Sequence, residues 1–137
     1  RAMTKKVKTS NLKDTLYAQL SNPQWDAVAK RCLSCGNCTM VCPTCFCNDV
    51  FDDNDLKSGV TSRKRVWDSC FNVEFAETTA GNARPTIKDR YRQWLMHKMA
   101  YWVDQFGVFG CVGCGRCITW CPVGIDITEE VRALRGE

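Results

Sequence analysis

The chain has 137 residues, 45% of them hydrophobic, and a formal net charge of +4. This length predicts one domain that can bury a hydrophobic core. No stretch approaches the roughly 18 apolar residues of a membrane span, and no aromatic side chains are interleaved with the basic ones, as in surfaces that stack bases. The composition therefore argues against a membrane span and against nucleic-acid binding.

The N-terminal part predicts an arm followed by two short helices. Residues 1–10 are polar and basic, which indicates a disordered or extended arm. Leucines then recur every four residues over 11–21, as on one face of a helix. The pair Asn22-Pro23 is typical of a helix start, because asparagine caps and proline suits the first helical position. The predicted organisation is an N-terminal arm with a short helix, 1–21, and a main domain, 22–137.

A cysteine run of spacing C-x2-C-x2-C-x3-C, followed by proline, comes next and returns near the end of the chain. This spacing holds a [4Fe–4S] cubane in bacterial-type ferredoxins. Three thiolates three residues apart can reach three corners of a cubane from one tight loop, whereas the fourth ligand must come from elsewhere. The predicted ligands are Cys32, Cys35, Cys38 and Cys42 in the first run, and Cys111, Cys114, Cys117 and Cys121 in the second.

Three further cysteines, Cys45, Cys47 and Cys70, lie in the connector between the runs. We favour buried thiols that pack near the clusters, since free cysteine is among the most buried residue types. A third metal site or a redox thiol pair is the alternative, but no fourth ligand for such a site is evident. The single histidine, His97, is interpreted as structural or exposed because the two cysteine sets are already complete.

The connector shows no alternating strand pattern and reads as helical. An apolar cluster over 66–75 indicates one helix, and Pro85 can begin the longest one. Apolar residues then follow at spacings of three and four from Ile87 to Phe106, which is one face of a helix. Thr128 can cap a last helix over 129–134. The predicted fold class is all-α, a helical ferredoxin-like domain wrapped around two [4Fe–4S] clusters. We expect three tryptophans to shield them, Trp94, Trp102 and Trp120.

The two runs are predicted to exchange their last ligands. In two-cluster ferredoxins the fourth cysteine of each run binds the other cluster. The clusters are then neighbours, close enough to pass an electron from one to the other. The predicted sets are Cys32, Cys35, Cys38 and Cys121 for one cluster, and Cys111, Cys114, Cys117 and Cys42 for the other.

Zinc and disulfides are the rival interpretations of these cysteines. Structural zinc usually takes separated C-x2-C pairs, without a third cysteine three residues on and without the closing proline. Disulfide frameworks belong to small secreted domains, whereas this chain has eleven cysteines, an odd number, and no visible secretory signal. Cysteine usage thus indicates a reducing compartment, most simply the cytoplasm.

The residues around the cysteines resemble a known group. The segments are Cys32-Leu-Ser-Cys35-Gly-Asn-Cys38, Cys42-Pro-Thr-Cys45-Phe-Cys47, Trp67-Asp-Ser-Cys70, Gly110-Cys-Val-Gly-Cys-Gly-Arg-Cys117 and Cys121-Pro-Val-Gly-Ile-Asp-Ile127. Over about 22–131 the chain is similar to alpha-helical ferredoxin domains, and more closely to the beta subunits of cytoplasmic sulfhydrogenases and the A subunits of anaerobic sulfite reductases. Those proteins are longer, and this chain opens without an initiator methionine, so we expect it to be part of a longer subunit.

The resemblance implies an electron-relay subunit that is not catalytic alone. It would lie between a flavin subunit that exchanges electrons with NAD(P)H and a catalytic subunit that reduces protons, sulfur or sulfite. The sequence itself has no G-x-G-x-x-G dinucleotide loop. Two other function classes stay open: an enzyme subunit that binds substrate at one cluster with the extra cysteines, and a structural cluster domain that only holds subunits together.

Overall fold

The computed structural model describes residues 4–137. Within this range, helices flank two irregular cysteine-bearing segments, and the first and last helices lie side by side. A 3-10 turn, Glu74–Ala76, and a π-helical turn, His97–Tyr101, complete the helical elements of these residues. The helices are α1 Leu12–Ala18, α2 Gln24–Arg31, α3 Asn37–Met40, α4 Ile87–Met96, α5 Trp102–Phe106, α6 Arg116–Thr119 and α7 Ile127–Arg135.

The connector contains strands, so the all-α prediction is wrong. The protein is a mixed α/β domain, 41% helical and 15% strand, with two small antiparallel sheets. Strands β1 Asn48–Asp55 and β2 Val60–Trp67 pair in register from Asn48 opposite Trp67 to Asp55 opposite Val60. Strands β3 Glu77–Thr78 and β4 Gly81–Asn82 form the second, minimal sheet. The predicted helix over 66–75 is absent from the described chain.

The β1–β2 hairpin was not predicted from the sequence because neither of its faces is buried. Every residue of β2 is exposed, and so is all of β1 after its first residue. Alternation of apolar and polar residues arises only where one face of a strand packs on a core. Cross-strand charge pairs hold this hairpin instead, with Arg63 Nε donating to Asp52 Oδ1 at 2.8 Å and Lys64 paired with Asp53.

The hydrophobic core is formed by the longer helices, as the leucine and aromatic spacings predict. Helix α1 packs on the π-helical turn, and α2 packs on both α4 and α7. The indole Nε1 of Trp25 donates to the carbonyl of Gln19 at 2.7 Å, which satisfies its polar atom inside this core. The most deeply buried side chains are Leu12, Leu16, Trp25, Val28, Leu95, Met96, Val131 and Leu134.

The long helical segment starts at Ile87, two residues after Pro85. Thr86 caps it by accepting a hydrogen bond from the Asp89 amide at 3.2 Å. The segment runs to Phe106 but widens into the π-helical turn, where the Gly110 amide donates to the Lys98 carbonyl at 2.8 Å. Insertions of this kind are frequent at functional sites, and this one ties the helix to the residue before Cys111.

Helix α7 is capped by Asp126, two residues earlier than the Thr128 cap predicted. The Asp126 carboxylate accepts hydrogen bonds from the Thr128 amide and hydroxyl, both at 2.8 Å, and pairs with Lys5. The described part of the N-terminal arm, 4–10, is extended against α7, and residues 1–3 lie outside the described range. No helix of residues 4–137 is long and apolar enough to cross a bilayer.

Candidate metal centre

The two cysteine runs fold in the same way. In each run a glycine with φ +74° precedes a single helical turn, Gly36 before α3 and Gly115 before α6. This left-handed conformation strains residues with a Cβ, which explains a glycine before the third cysteine of both runs. The two turns pack against each other, so the runs face one another across the molecule's cysteine-rich end.

The run-to-run packing creates two adjoining hollows lined by thiols. The first hollow takes three cysteines of the first run and, from the second run, Cys121 together with Cys117. The second hollow takes three cysteines of the second run and Cys42 of the first. The first hollow is lined by Cys32, Cys35, Cys38, Cys117 and Cys121, and the second by Cys42, Cys111, Cys114 and Cys117.

The last cysteine of each run therefore lines the hollow whose other thiols come mainly from the other run. Cys117 lines both hollows, so the two sites share a wall. No three His, Cys, Asp or Glu side chains of residues 4–137 converge as closely as a single metal ion requires. The thiols of the two runs instead lie around the two hollows. Their assignment as ligands of clusters is a proposal that we develop below.

Two of the thiols that line the hollows, Cys38 and Cys117, are hard to ionise. Burial, followed by the nearby thiols of Cys111 and Cys42, raises the pKa of Cys117 to about 11. Burial is also the main cause of the raised pKa of Cys38, with Cys32 the next contributor. Because thiolate is the form that binds metal, loading such sites releases protons, and the bound cation must supply the compensating charge.

Hydrogen bonds reach the sulfur atoms from the surrounding backbone. The Ser34 amide donates to Cys32 Sγ at 3.4 Å, and the Ile125 amide donates to Cys121 Sγ at 3.2 Å. Bonds of this type stabilise negative charge on a ligating sulfur and are one of the levers that set the reduction potential of an iron–sulfur cluster.

Two unpartnered polar atoms test whether a cluster fits the first hollow. Tyr91 Oη and Trp94 Nε1 are buried without a hydrogen-bond partner among the described residues, and both residues line this hollow. Their side chains are 2% and 4% exposed. A buried donor without an acceptor is costly, whereas thiolate or sulfide sulfurs in the hollow would accept from both. The residues present thus fit a [4Fe–4S] group.

The second hollow has a different polar feature, the buried lysine Lys98. Its ammonium donates to Thr44 Oγ1 at 3.1 Å, and that hydroxyl lies 3.2 Å from Cys42 Sγ and donates to the Gly110 carbonyl at 2.6 Å. Burial lowers the pKa of Lys98, but the neighbouring thiols of Cys45 and Cys42 outweigh it, so the pKa is raised overall.

Sequence reasoning missed Lys98, although one signal was available. The lysine follows Trp94 by four residues, so it shares a helix face with a side chain that we expected to be buried. The π-helical turn begins one residue before it and re-aims the following residues. A charged residue on an otherwise apolar helix face is a candidate for a specific buried partner.

Of the three remaining cysteines, Cys45 lies beside Cys42 of the second hollow, and none of the three lines either hollow. Cys45 contacts Cys42, and its hydrogen bond lowers the pKa of the Cys42 thiol. Cys47 and Cys70 are brought together at the base of the β1–β2 hairpin, where the Asp68 amide donates to the Cys47 carbonyl at 3.0 Å. Their hydrogen bond lowers the pKa of Cys47.

The predicted tryptophan shields differ in position. Trp94 lines both hollows, whereas Trp120 is 61% exposed. Trp102 packs against His97, with ring centroids 5.1 Å apart, and presses on the backbone of Gly110. His97 itself is half-buried among aromatic rings, and this burial is the main cause of its lowered pKa.

These features fit the class of iron–sulfur domains. The sequence matches the family described as "4Fe-4S dicluster domain" over residues 31–125. The chain belongs to this family, and the dicluster resemblance predicted from its cysteine segments is confirmed.

The chain is also similar to a characterised subunit. It is 38% identical over 136 residues to sulfhydrogenase 2 subunit beta of Pyrococcus furiosus, an alignment that covers 96% of this chain and 40% of the relative. The chain thus spans less than half the length of that protein. No solved structure gives a significant match.

Proposed function

We propose that this chain relays single electrons through two [4Fe–4S] clusters, one in each hollow. When bound, such clusters accept and release one electron at a time. We assign Cys117 to the second cluster because it belongs to the run that supplies the other two thiols there. The proposed ligands are Cys32, Cys35, Cys38 and Cys121 for the first cluster, and Cys42, Cys111, Cys114 and Cys117 for the second.

The shared wall is the observation that carries this proposal. Three residues, Trp94, Cys117 and Ile127, line both hollows. A group in one hollow is therefore separated from a group in the other by single side chains, which favours electron exchange between them. Apolar lining by Phe71 and Ile125 in the first hollow limits access of water to the path.

The partners belong to the same proposal. We propose that this domain is part of a subunit between a flavin module, which exchanges electrons with NAD(P)H, and a catalytic redox subunit of hydrogenase or sulfur- or sulfite-reductase type. The support is the similarity to a protein named as a sulfhydrogenase subunit. A cytoplasmic location is proposed with it, since thiol-rich sites of this kind persist in reducing compartments.

The first experiment measures iron and acid-labile sulfide in the anaerobically purified chain. The proposal expects about eight of each per chain, four per cluster. Dithionite should bleach the visible absorption reversibly and give electron paramagnetic resonance signals of two interacting centres. Zinc in place of iron, or clusters that do not change on reduction, would contradict the relay and favour a structural role.

The second experiment tests the exchange of ligands between the runs. Cys121→Ala and Cys35→Ala should lose the same cluster, although the two residues belong to different runs. Cys42→Ala should instead lose the cluster that Cys114→Ala loses. The matched control is Cys45→Ala, which removes a thiol next to Cys42 but outside the proposed sets. If Cys121→Ala and Cys114→Ala lost the same cluster, the proposed pairing would be wrong.

A substrate-binding role is the second candidate. It is favoured by the position of Cys45 beside Cys42 and the buried Lys98, and by the contacts that link Cys45, Cys47 and Cys70. This role predicts that Cys47→Ala or Cys70→Ala abolishes turnover of the native complex while the iron content and both reduction steps are retained. A relay predicts that turnover continues in these variants.

A further inference from the structure

We propose that Lys98 sets the order in which the two sites are reduced, by making the second site the stronger electron acceptor. This inference rests on the proposed function and concerns a residue that is not a cysteine ligand. The buried ammonium of Lys98 is not a ligand. It raises the reduction potential of the second site through Thr44 and the thiols of the second hollow.

The placement of Lys98 is the first step of the argument. The residue is 4% exposed and lines the second hollow. Its ammonium is held at 3.1 Å from Thr44 Oγ1, which lies 3.2 Å from Cys42 Sγ. The Lys98 carbonyl accepts from the Gly110 amide at 2.8 Å, next to Cys111. The side chain of Lys98 is therefore linked to Cys42, and its backbone is linked to the residue before Cys111.

The missing counter-charge is the second step. Buried ammonium groups require an anionic partner. Among residues 4–137, no carboxylate forms a salt bridge with Lys98. The groups close to it are Thr44, the thiols of Cys42, Cys45 and Cys47, and the rings of His97 and Trp102, the last with its centroid 6.0 Å from Nζ. We infer that the counter-charge of Lys98 is supplied by thiolates that bind a cluster.

The first hollow has no cation in its lining: no charged side chain lines it among the residues that the structure describes. Arg90 is buried nearby, but burial outweighs its charge, which favours the Cys32 thiolate, and the pKa of Cys32 is raised overall. Its guanidinium donates to Ser34 Oγ at 3.3 Å and to the carbonyls of Arg84 and Pro85, whereas Lys98 hydrogen-bonds to the Cys42 and Cys45 thiols themselves. The donors that do line this hollow without a protein partner, Tyr91 and Trp94, are neutral. Lys5 lines the second hollow too, but it is neutralised by Asp126 and Glu129.

The physical consequence follows from charge. Reduction adds one negative charge to a site, and a fixed cation at short distance in a low-dielectric surrounding stabilises that charge. Hydrogen bonds from charged donors are about twice as strong as those from neutral ones. Lys98 therefore favours an electron in the second hollow more than Tyr91 and Trp94 favour one in the first.

The experiment is a potentiometric titration of the cluster-loaded chain, followed by paramagnetic resonance. In Lys98→Met, which keeps an unbranched side chain one atom shorter and removes the charge, the higher of the two midpoint potentials should fall and the gap between the two potentials should narrow. Lys98→Arg should keep the wild-type order. Lys57→Met removes a charge from the exposed hairpin turn and should leave both midpoints unchanged.

The outcomes separate this inference from the proposed function. Two reducible clusters in the wild type with an unchanged higher midpoint in Lys98→Met would overturn the role of Lys98 and leave the relay intact. If Lys98→Met failed to retain eight iron atoms, Thr44→Val would decide, because it removes the hydroxyl between the ammonium and Cys42. In Thr44→Val the higher midpoint potential should fall by less than is expected for Lys98→Met. Such a fall supports the proposal, and an unchanged higher midpoint potential overturns it.

Discussion

The two hollows are built from the same cysteine run, yet their walls differ in chemistry. The first is closed by aromatic side chains with neutral donors, such as Tyr91 and Trp94. The second is open to a buried ammonium, Lys98, and to the hydroxyl of Thr44. The ligand segments alone would make two equivalent sites. The difference comes from one long helical segment, which presents its α-helical part to the first hollow and its π-helical turn to the second.

The largest effect is expected at the wall that the hollows share. Trp94→Ala should destabilise the cluster-loaded chain by about 3–5 kcal/mol, because it removes a buried aromatic side chain and leaves a cavity. Denaturant unfolding measures the loss, and both midpoint potentials should shift because water reaches both sites. The control Trp120→Ala removes an exposed indole and should change neither quantity. A shift confined to one midpoint would show that Trp94 does not separate the two sites.

A substitution at Gly110, the residue before the second cysteine run, should affect the second site only. A Cβ at Gly110 would lie 2.5 Å from Trp102 Cε3. Gly110→Ala should therefore destabilise the chain by about 1–3 kcal/mol through overpacking and weaken iron retention in the second hollow, as measured by unfolding and iron content. Adding Trp102→Leu should relieve the clash and restore part of the loss. No rescue by the second substitution would contradict this explanation.

The cap of α7 gives an intermediate effect with a defined pH dependence. Burial raises the pKa of Asp126, but hydrogen bonds from Lys5 and Thr128 outweigh burial and lower it overall. Asp126→Ala should cost about 0.5–2 kcal/mol at neutral pH.

The sign of this pH dependence follows from the lowered pKa. The unfolded chain binds the proton more tightly, so the contribution of Asp126 is present above the ordinary carboxyl pKa of about 3.9 and is lost as the pH falls through the folded value. Unfolding at several pH values should therefore show the wild type converging on Asp126→Asn in acid. A constant difference between them would contradict the assignment.

The smallest effect is expected for Tyr91→Phe, which should change the first site and leave the second unchanged. Tyr91→Phe removes only a hydroxyl that has no partner among the described residues. In the cluster-loaded chain it should cost about 0.5–1.5 kcal/mol, the contribution of one hydrogen bond, and lower only the lower midpoint potential. The metal-free chain should not lose stability. Tyr17→Phe, at an exposed tyrosine bonded to Asp104, is the control for the potentials. Equal or higher stability of loaded Tyr91→Phe would show that no cluster sulfur accepts this hydrogen bond.

Local patterns were sufficient for the helices of the core and for recognising the two cysteine runs. The leucine spacing placed α1, the apolar stripe from Ile87 placed the long helical segment, and both follow from the 3.6-residue period. The start of the long helical segment and the cap of α7 each lie two residues from the predicted position, because Thr86 and Asp126 bond to the first free amides. The division at residue 21 stays a prediction, and Leu16 and Trp25 lie in one hydrophobic cluster.

The connector could not be predicted from periodicity. The β1–β2 hairpin is exposed on both faces, so its sequence carries no alternation, and the side-chain pairs that join its strands, such as Arg63 with Asp52, are exposed too. Such pairs are defined only once the register is known.

The sequence by itself determined that eight cysteines form two repeated runs and that helices flank them, because thiol spacing and apolar period are local properties of the chain. Only the tertiary structure decided that Cys117 lines both hollows, and that Lys98 faces one of them and Tyr91 the other. Those relations join residues far apart in the chain through helix packing and a π-helical turn, and no local pattern specifies them.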